Sequence, residues 1–133
     1  MARQTLVTQL KQLIEDLTIR KGPFAVAMLL RDSGGSGRYW TFLSSAPWLD
    51  EVGLYGPAIL TMIEEFERGL SPGNAAQINC VNVLSPNDRF IQRLLEETSV
   101  PVRLGEVVEH YHWELDGTES SKVIFFVAQP VDS

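Results

Sequence analysis

Cysteine and long apolar runs are nearly absent from this sequence. The only cysteine, Cys80, has no partner for an intramolecular disulfide. No apolar segment follows the basic Arg3, so the N-terminus lacks the pattern of a signal peptide. No stretch approaches the roughly 18 consecutive apolar residues that a membrane-spanning helix requires. These absences predict a soluble, cytoplasmic protein that does not cross a membrane.

Positive charge is also scarce. The chain has 11 Lys and Arg residues against 17 Asp and Glu residues, which gives a formal net charge of -6. Binding to the phosphate backbone of DNA or RNA depends on basic side chains that displace counterions. The charge balance therefore predicts that nucleic acid is not a partner.

The size and composition are those of an ordinary globular domain. The chain has 133 residues, of which 44% are hydrophobic and 21% are charged. Two domains of half this length would each bury too little surface to be stable. We expect one domain that covers residues 1–133.

Apolar periodicity and turn residues predict three helices and five strands. An apolar stripe with a period of 3.6 residues marks the first helix, and Pro57 and Ser85 mark the starts of the other two. The predicted helices cover 6–20, 57–69 and a segment that begins at 85. The predicted strands cover 24–30, 38–44, 78–84, 106–115 and 122–128. The segment 45–56 has no clear period and is expected to be a long loop.

The resulting element order is α-β-β-α-β-α-β-β, which indicates an α/β fold, with α+β as the alternative. Two hairpins require antiparallel neighbours, whereas the strand-helix-strand connections at 38–84 and 78–115 favour parallel pairing. We expect a mixed sheet of about five strands with helices packed on it. Because such a sheet has two open edges, a homodimer formed through an edge strand or the first helix is an open alternative.

Polar residues follow two strands that are expected to be parallel. The carboxyl ends of parallel strands meet at one edge of an α/β sheet, where ligands commonly bind. The loop 44–56 and the helix start 85–89 would meet at this edge. The candidate ligand-binding residues are Ser44, Ser45, Trp48, Asp50, Tyr55, Ser85, Asn87 and Arg89. The structural alternative is that Ser85 and Asp88 cap the third helix and that Trp48 covers the core.

A second cluster lies on the fourth predicted strand. Alternate residues of a strand point to one face, so His110, His112 and Glu114 would share a face. The opposite face, with Tyr111, Trp113 and Leu115, would enter the core. Two imidazoles on one face can bind one metal ion, and the three residues are candidate metal ligands. An ordinary polar strand face is the structural alternative.

Signatures of catalysis are missing. There is no Gly-x-Ser-x-Gly motif, and Cys80 lies within an apolar strand, where a thiol is usually an inert core residue. The acidic pairs Glu64–Glu65 and Glu96–Glu97 are typical of solvated helix faces. The sequence favours a non-catalytic interaction or regulatory module that self-associates. A small-molecule-binding protein or enzyme and a metal-binding protein are the alternatives, and no cofactor is indicated.

Overall fold

The computed structural model describes residues 5–32, 39–53, 56–97, 101–115 and 117–131, and within them it has five helices and five strands. The helices are α1 Leu6–Arg20, α2 Pro47–Val52, α3 Gly56–Gly69, α4 Pro72–Ala75 and α5 Arg89–Glu97. The strands are β1 Val26–Asp32, β2 Trp40–Ser45, β3 Ile78–Val83, β4 Val108–Leu115 and β5 Thr118–Ala128.

Helix α1 forms as its sequence predicts. The side chain of Thr5 accepts a hydrogen bond of 3.1 Å from the amide of Thr8, which caps the N-terminus. Gly22, with a φ of 130°, ends the helix in a conformation that favours glycine. The apolar stripe faces the sheet, since its members are all buried: Leu6, Leu10, Leu13, Ile14 and Leu17.

The five strands form one mixed sheet in the order β3-β2-β1-β5-β4, which confirms the predicted fold class. Strands β1 and β2 form an antiparallel hairpin, and β4 and β5 form another. The two hairpins join through antiparallel pairing of β1 with β5. Strand β3 runs parallel to β2, as predicted. The predicted parallel pairing of β3 with β4 is wrong, because these strands occupy opposite edges of the sheet.

Helices cover both faces of the sheet. Helices α1, α2 and α3 pack on the face formed by residues such as Leu29 of β1 and Phe42 of β2. Helix α5 packs on the other face, against residues such as Met28 of β1 and Phe125 of β5. This arrangement explains the continuous apolar sequence of β1, which is buried on both sides.

Short helices replace two predicted irregular segments. The expected loop 45–56 contains α2, which begins at Pro47 and carries Trp48 and Leu49 into the core. The predicted turn at 71–74 contains α4, whose N-terminus is capped by Ser71. Proline at the first helical position starts both helices. These helices are too short to show the apolar period by which a helix is recognised in a sequence.

Helix α5 begins later than its sequence suggests. Residues 85–88 form a turn in which the amide of Asp88 donates to the carbonyl oxygen of Ser85 at 2.9 Å. The carboxylate of Asp88 then accepts from the amide of Phe90 at 2.8 Å. Asp88 therefore caps the helix, and the prediction that Ser85 is the N-cap is wrong. Both residues are good N-caps, so the sequence alone favours neither.

Gly69 is a contact point between two helices. A Cβ atom at Gly69 would lie 2.7 Å from Cδ1 of Leu13 in α1. The amide of Leu70 donates to the carbonyl oxygen of Phe66 at 2.9 Å, as in a continuing helix. The absence of a side chain at Gly69 lets α3 approach α1.

We expect Gly69→Ala to destabilise the protein by about 1–3 kcal/mol, because the added methyl group would displace the buried side chain of Leu13. Urea denaturation measures this free energy. Gly73→Ala is the matched control, since a Cβ atom there would meet nothing within 4 Å. Equal stability of the two variants would contradict the close approach of α1 and α3.

None of the described helices is both long and apolar enough to span a membrane.

Candidate functional site

The parallel pairing of β2 and β3 brings their carboxyl ends to the same edge of the sheet. Ser44 of β2 pairs with Val83 of β3, and the next amide, that of Leu84, donates to the carbonyl oxygen of Ser44 at 3.0 Å. The segments that leave the two strands therefore start side by side. One enters α2 at Pro47, and the other enters the turn that begins at Ser85.

Asp50 and Ser85 meet across these two segments. The hydroxyl of Ser85 donates a hydrogen bond of 3.0 Å to Oδ2 of Asp50, although the residues are 35 positions apart. The second oxygen, Oδ1 of Asp50, is buried and has no hydrogen-bond partner among the described residues. A carboxylate oxygen in this state can accept a hydrogen bond from a bound molecule.

A cleft of about 490 Å³ opens beside this contact. Its walls come from the start of α2, the turn before α5, one side of α5 and the segment after β5. The described residues that line it are Ala25, Pro47, Asp50, Pro86, Asn87, Gln92, Leu95, Glu96, Pro130 and Val131. The volume lies in the range of small-molecule sites.

The cleft combines apolar walls with negative charge. Asp50 and Glu96 are its ionisable groups, and no Lys, Arg or His is among its described lining residues. The side-chain amide of Gln92 donates to the carbonyl oxygen of Pro86 at 2.7 Å, which ties α5 to the turn before it. The amide of Asn87 donates to the hydroxyl of Ser85 at 3.1 Å. These bonds hold the polar wall of the cleft in place without a ligand.

Three other predicted binding residues lie in the core at the same edge. Ser44 and Ser45 have no solvent exposure, and their hydroxyls find no hydrogen-bond partner among the described residues. Trp48 is 8% exposed and packs edge-on against Phe24, with ring centroids 5.5 Å apart. Trp48 thus covers the core, as the structural alternative expects.

The described lining of the cleft does not include the other two predicted residues. Arg89 is exposed at the start of α5 and is not among the lining residues, so it does not converge with Asp50 and Asn87. Tyr55 lies outside the described residues. The structure therefore brings three of the predicted residues together, since Asp50 and Asn87 line the cleft and Ser85 contacts Asp50.

His110 does not share a face with Glu114. The ring of His110 lies 5.8 Å from that of Phe125, on the side of the sheet that α5 covers. Trp113 also contacts Phe125, with ring centroids 6.1 Å apart. His110 and Trp113 therefore lie on the same face although they are three residues apart, so the side-chain alternation of β4 changes between them. The change occurs at His112, which has a φ of 54°. Glu114, next to Trp113, consequently points to the opposite face from His110.

The prediction that His110 and Glu114 share a face is therefore wrong, and Tyr111, which was expected to enter the core, is exposed. The described residues contain no group of three or more His, Cys, Asp or Glu side chains that could hold a metal ion. Cys80 is exposed on the edge strand β3, and the prediction that it lies in the core is also wrong. A strand at the sheet edge has no neighbour to cover its outer side.

Another polar cluster joins α1 to α3. Glu65, expected on a solvated face, is 5% exposed, and it accepts a hydrogen bond of 2.9 Å from the guanidinium of Arg20. This hydrogen bond, followed by that to Asp16, raises the pKa of Arg20 above its ordinary value. The guanidinium of Arg68 lies 3.7 Å from Glu65. With its charge paired in this way, Glu65 serves helix packing, and we assign it no binding role.

Half of the cleft could not be identified from the sequence. Glu96 has the pattern of a surface residue, and Pro130 and Val131 follow the last strand with no functional motif. Pro130 and Val131 reach the cleft because β5 runs antiparallel to β1 and so ends on the same side of the sheet as β2 does. The amide of Gln129 donates to the carbonyl oxygen of Ala25 at 3.0 Å and fixes the segment there. Only the order of the strands in the sheet would have placed these residues at the cleft, and the sequence pattern does not contain it.

No known protein family, curated protein sequence or solved structure matches this chain significantly.

Proposed function

We propose that this protein is a non-catalytic binding domain whose ligand is a small organic cation held in the cleft beside Asp50. The observation that carries the proposal is Asp50, which lines a cleft that has no described basic group and whose buried Oδ1 lacks a hydrogen-bond partner among the described residues. A ligand ammonium group would supply both the hydrogen bond and the positive charge.

Electrostatics and shape support the same class of ligand. Asp50 and Glu96 place two carboxylates in one cleft, and the net charge of -6 attracts cations over a longer range. The prolines at 47, 86 and 130 and the side chains of Leu95 and Val131 give the ligand an apolar surface to bury. The proposed ligand thus has an amine group and an apolar body.

A binding role fits the cleft better than acyl transfer does. Ser85 contacts Asp50 directly, with no imidazole between them. His110 and His112 lie on β4, one outermost strand of the sheet, whereas Ser85 follows β3, the outermost strand on the other side. Neither histidine can serve as the base that a serine nucleophile requires. We therefore propose that this protein is a regulatory domain and that ligand binding is the signal to which it responds.

Thermal unfolding with three probes of matched size tests the charge requirement. Benzylamine carries an ammonium group, benzyl alcohol is its neutral analogue and benzoate carries a negative charge. A ligand at several times its Kd stabilises the native state by mass action, so we expect benzylamine to raise Tm by about 2–4 °C. Benzyl alcohol should raise it less, and benzoate should not raise it.

The ranking of the three probes decides the outcome. An equal effect of benzylamine and benzyl alcohol would show that charge plays no part and would refute the proposed ligand class. No shift with any probe up to 20 mM, roughly the weak limit of specific binding by such small molecules, would remove the support for a binding cleft.

A further inference from the structure

A second cavity, of about 280 Å³, lies on the face of the sheet that α5 covers. Leu30 of β1, Leu43 of β2 and Phe90 of α5 give it an apolar surface. The polar lining residues are all uncharged: Thr41 of β2, Asn82 of β3, and Thr118 and Ser120 of β5. It shares no described lining residue with the cleft at Asp50.

Ser120 is the polar group that distinguishes this cavity from a packing gap. Ser120 is part of the cavity wall and is 2% exposed, and its hydroxyl is buried and has no hydrogen-bond partner among the described residues. A buried hydroxyl without a partner is unfavourable, and the great majority of buried polar groups in proteins are hydrogen-bonded. The cavity beside Ser120 has room for the missing partner.

An irregularity in the pairing of β5 places Ser120 at this cavity. Arg31 of β1 pairs with Lys122, but the next residue, Asp32, pairs with Ser120, so Ser121 is skipped. The skipped residue shifts the alternation of side chains, and Ser120 lies on the same face as Val123. In β4, the residue opposite Ser121 is His112, whose positive φ accompanies the same shift.

We infer that this cavity is a binding site for a small, uncharged ring compound that forms a hydrogen bond with the Ser120 hydroxyl. No ionisable side chain is among the described lining residues, and a charged ligand would lose its hydration without gaining a partner. An engineered apolar cavity of about 150 Å³ accepts benzene, so the present volume suits a fused pair of rings.

Indole and 1-methylindole are probes that differ at the hydrogen-bonding group. Indole has an N–H that can donate to the oxygen of Ser120, and 1-methylindole lacks it. We expect saturable NMR shifts on adding indole, at the side-chain amide of Asn82 and the methyl groups of Leu43. Ser120→Ala should raise the Kd of indole by about five- to tenfold, the usual effect of one neutral hydrogen bond. The Kd of 1-methylindole should change less than twofold.

Asp50→Asn is the matched control, because it alters the other cleft and should leave the Kd of indole unchanged. Ser120→Ala should fold with unchanged or higher stability, since it removes a hydroxyl that lacks a partner. The inference would be overturned by the absence of saturable shifts at Asn82 and Leu43 up to 5 mM indole. An unchanged Kd for indole in Ser120→Ala would also overturn it.

Discussion

Phe42→Ala is expected to destabilise the protein by about 3–5 kcal/mol, the largest loss of stability that we predict for one substitution. Phe42 has no solvent exposure and lies near the middle of the sheet on β2. Its ring meets that of Phe66 in α3 edge-on, with centroids 5.0 Å apart and planes at 90°. The substitution removes this contact and leaves a cavity between the sheet and α3.

Such a loss would be a large part of the total stability, which is about 5–15 kcal/mol for a domain of this kind. Urea denaturation measures it as a lower midpoint at an unchanged m value. Ile19→Ala is the control, because Ile19 is 84% exposed on α1 and should change the free energy of unfolding by less than about 0.5 kcal/mol. A cost below 1 kcal/mol for Phe42→Ala would contradict the packing of α3 on this face.

Asp50→Asn is expected to weaken benzylamine binding by about ten- to hundredfold. Asparagine keeps an oxygen that can accept from the hydroxyl of Ser85, but it removes one of the two carboxylate charges of the cleft. A hydrogen bond to a charged group contributes about 1.5–3 kcal/mol, and each 1.4 kcal/mol changes Kd tenfold. The variant should therefore fold normally and lose most of its affinity for the cation.

Two controls separate this effect from a general change of charge. Glu67→Gln removes one negative charge from the exposed side of α3, outside the cleft, and should change the Kd of benzylamine less than twofold. The neutral probe benzyl alcohol should bind Asp50→Asn nearly as well as the original protein. Calorimetry that finds the same benzylamine Kd for Asp50→Asn and Glu67→Gln would remove Asp50 from the site.

The meeting of the ends of β2 and β3 was predictable because it depends on few elements. Ser44 lies at the end of β2 and Ser85 follows β3, and the parallel pairing of strands joined by a helical connection places both residues at one edge. Asp50 joins them through α2, which was not predicted, because six residues are too few to show a helical period. The prediction that the two segments meet is thus confirmed, even though the element that carries Asp50 was not predicted.

The rest of the site depends on long-range pairing that a local pattern does not contain. Glu96 and Pro130 come together only because α5 and the end of β5 reach the same edge. The change of side-chain alternation at His112 also depends on pairing between strands, because it matches the irregularity at Ser121 on the neighbouring strand. A strict alternation of faces predicts His110 and Glu114 together, and one irregular residue between them reverses that result.

The location of bound benzylamine tests the proposed function most directly. In an NMR titration, we expect saturable shifts at the side-chain amides of Asn87 and Gln92 and at the methyl groups of Leu95, all of which line the cleft. The methyl groups of Leu60, which lie exposed on α3, should not respond. Shifts confined to α3, or no saturable shifts at the three cleft residues, would contradict cation binding beside Asp50.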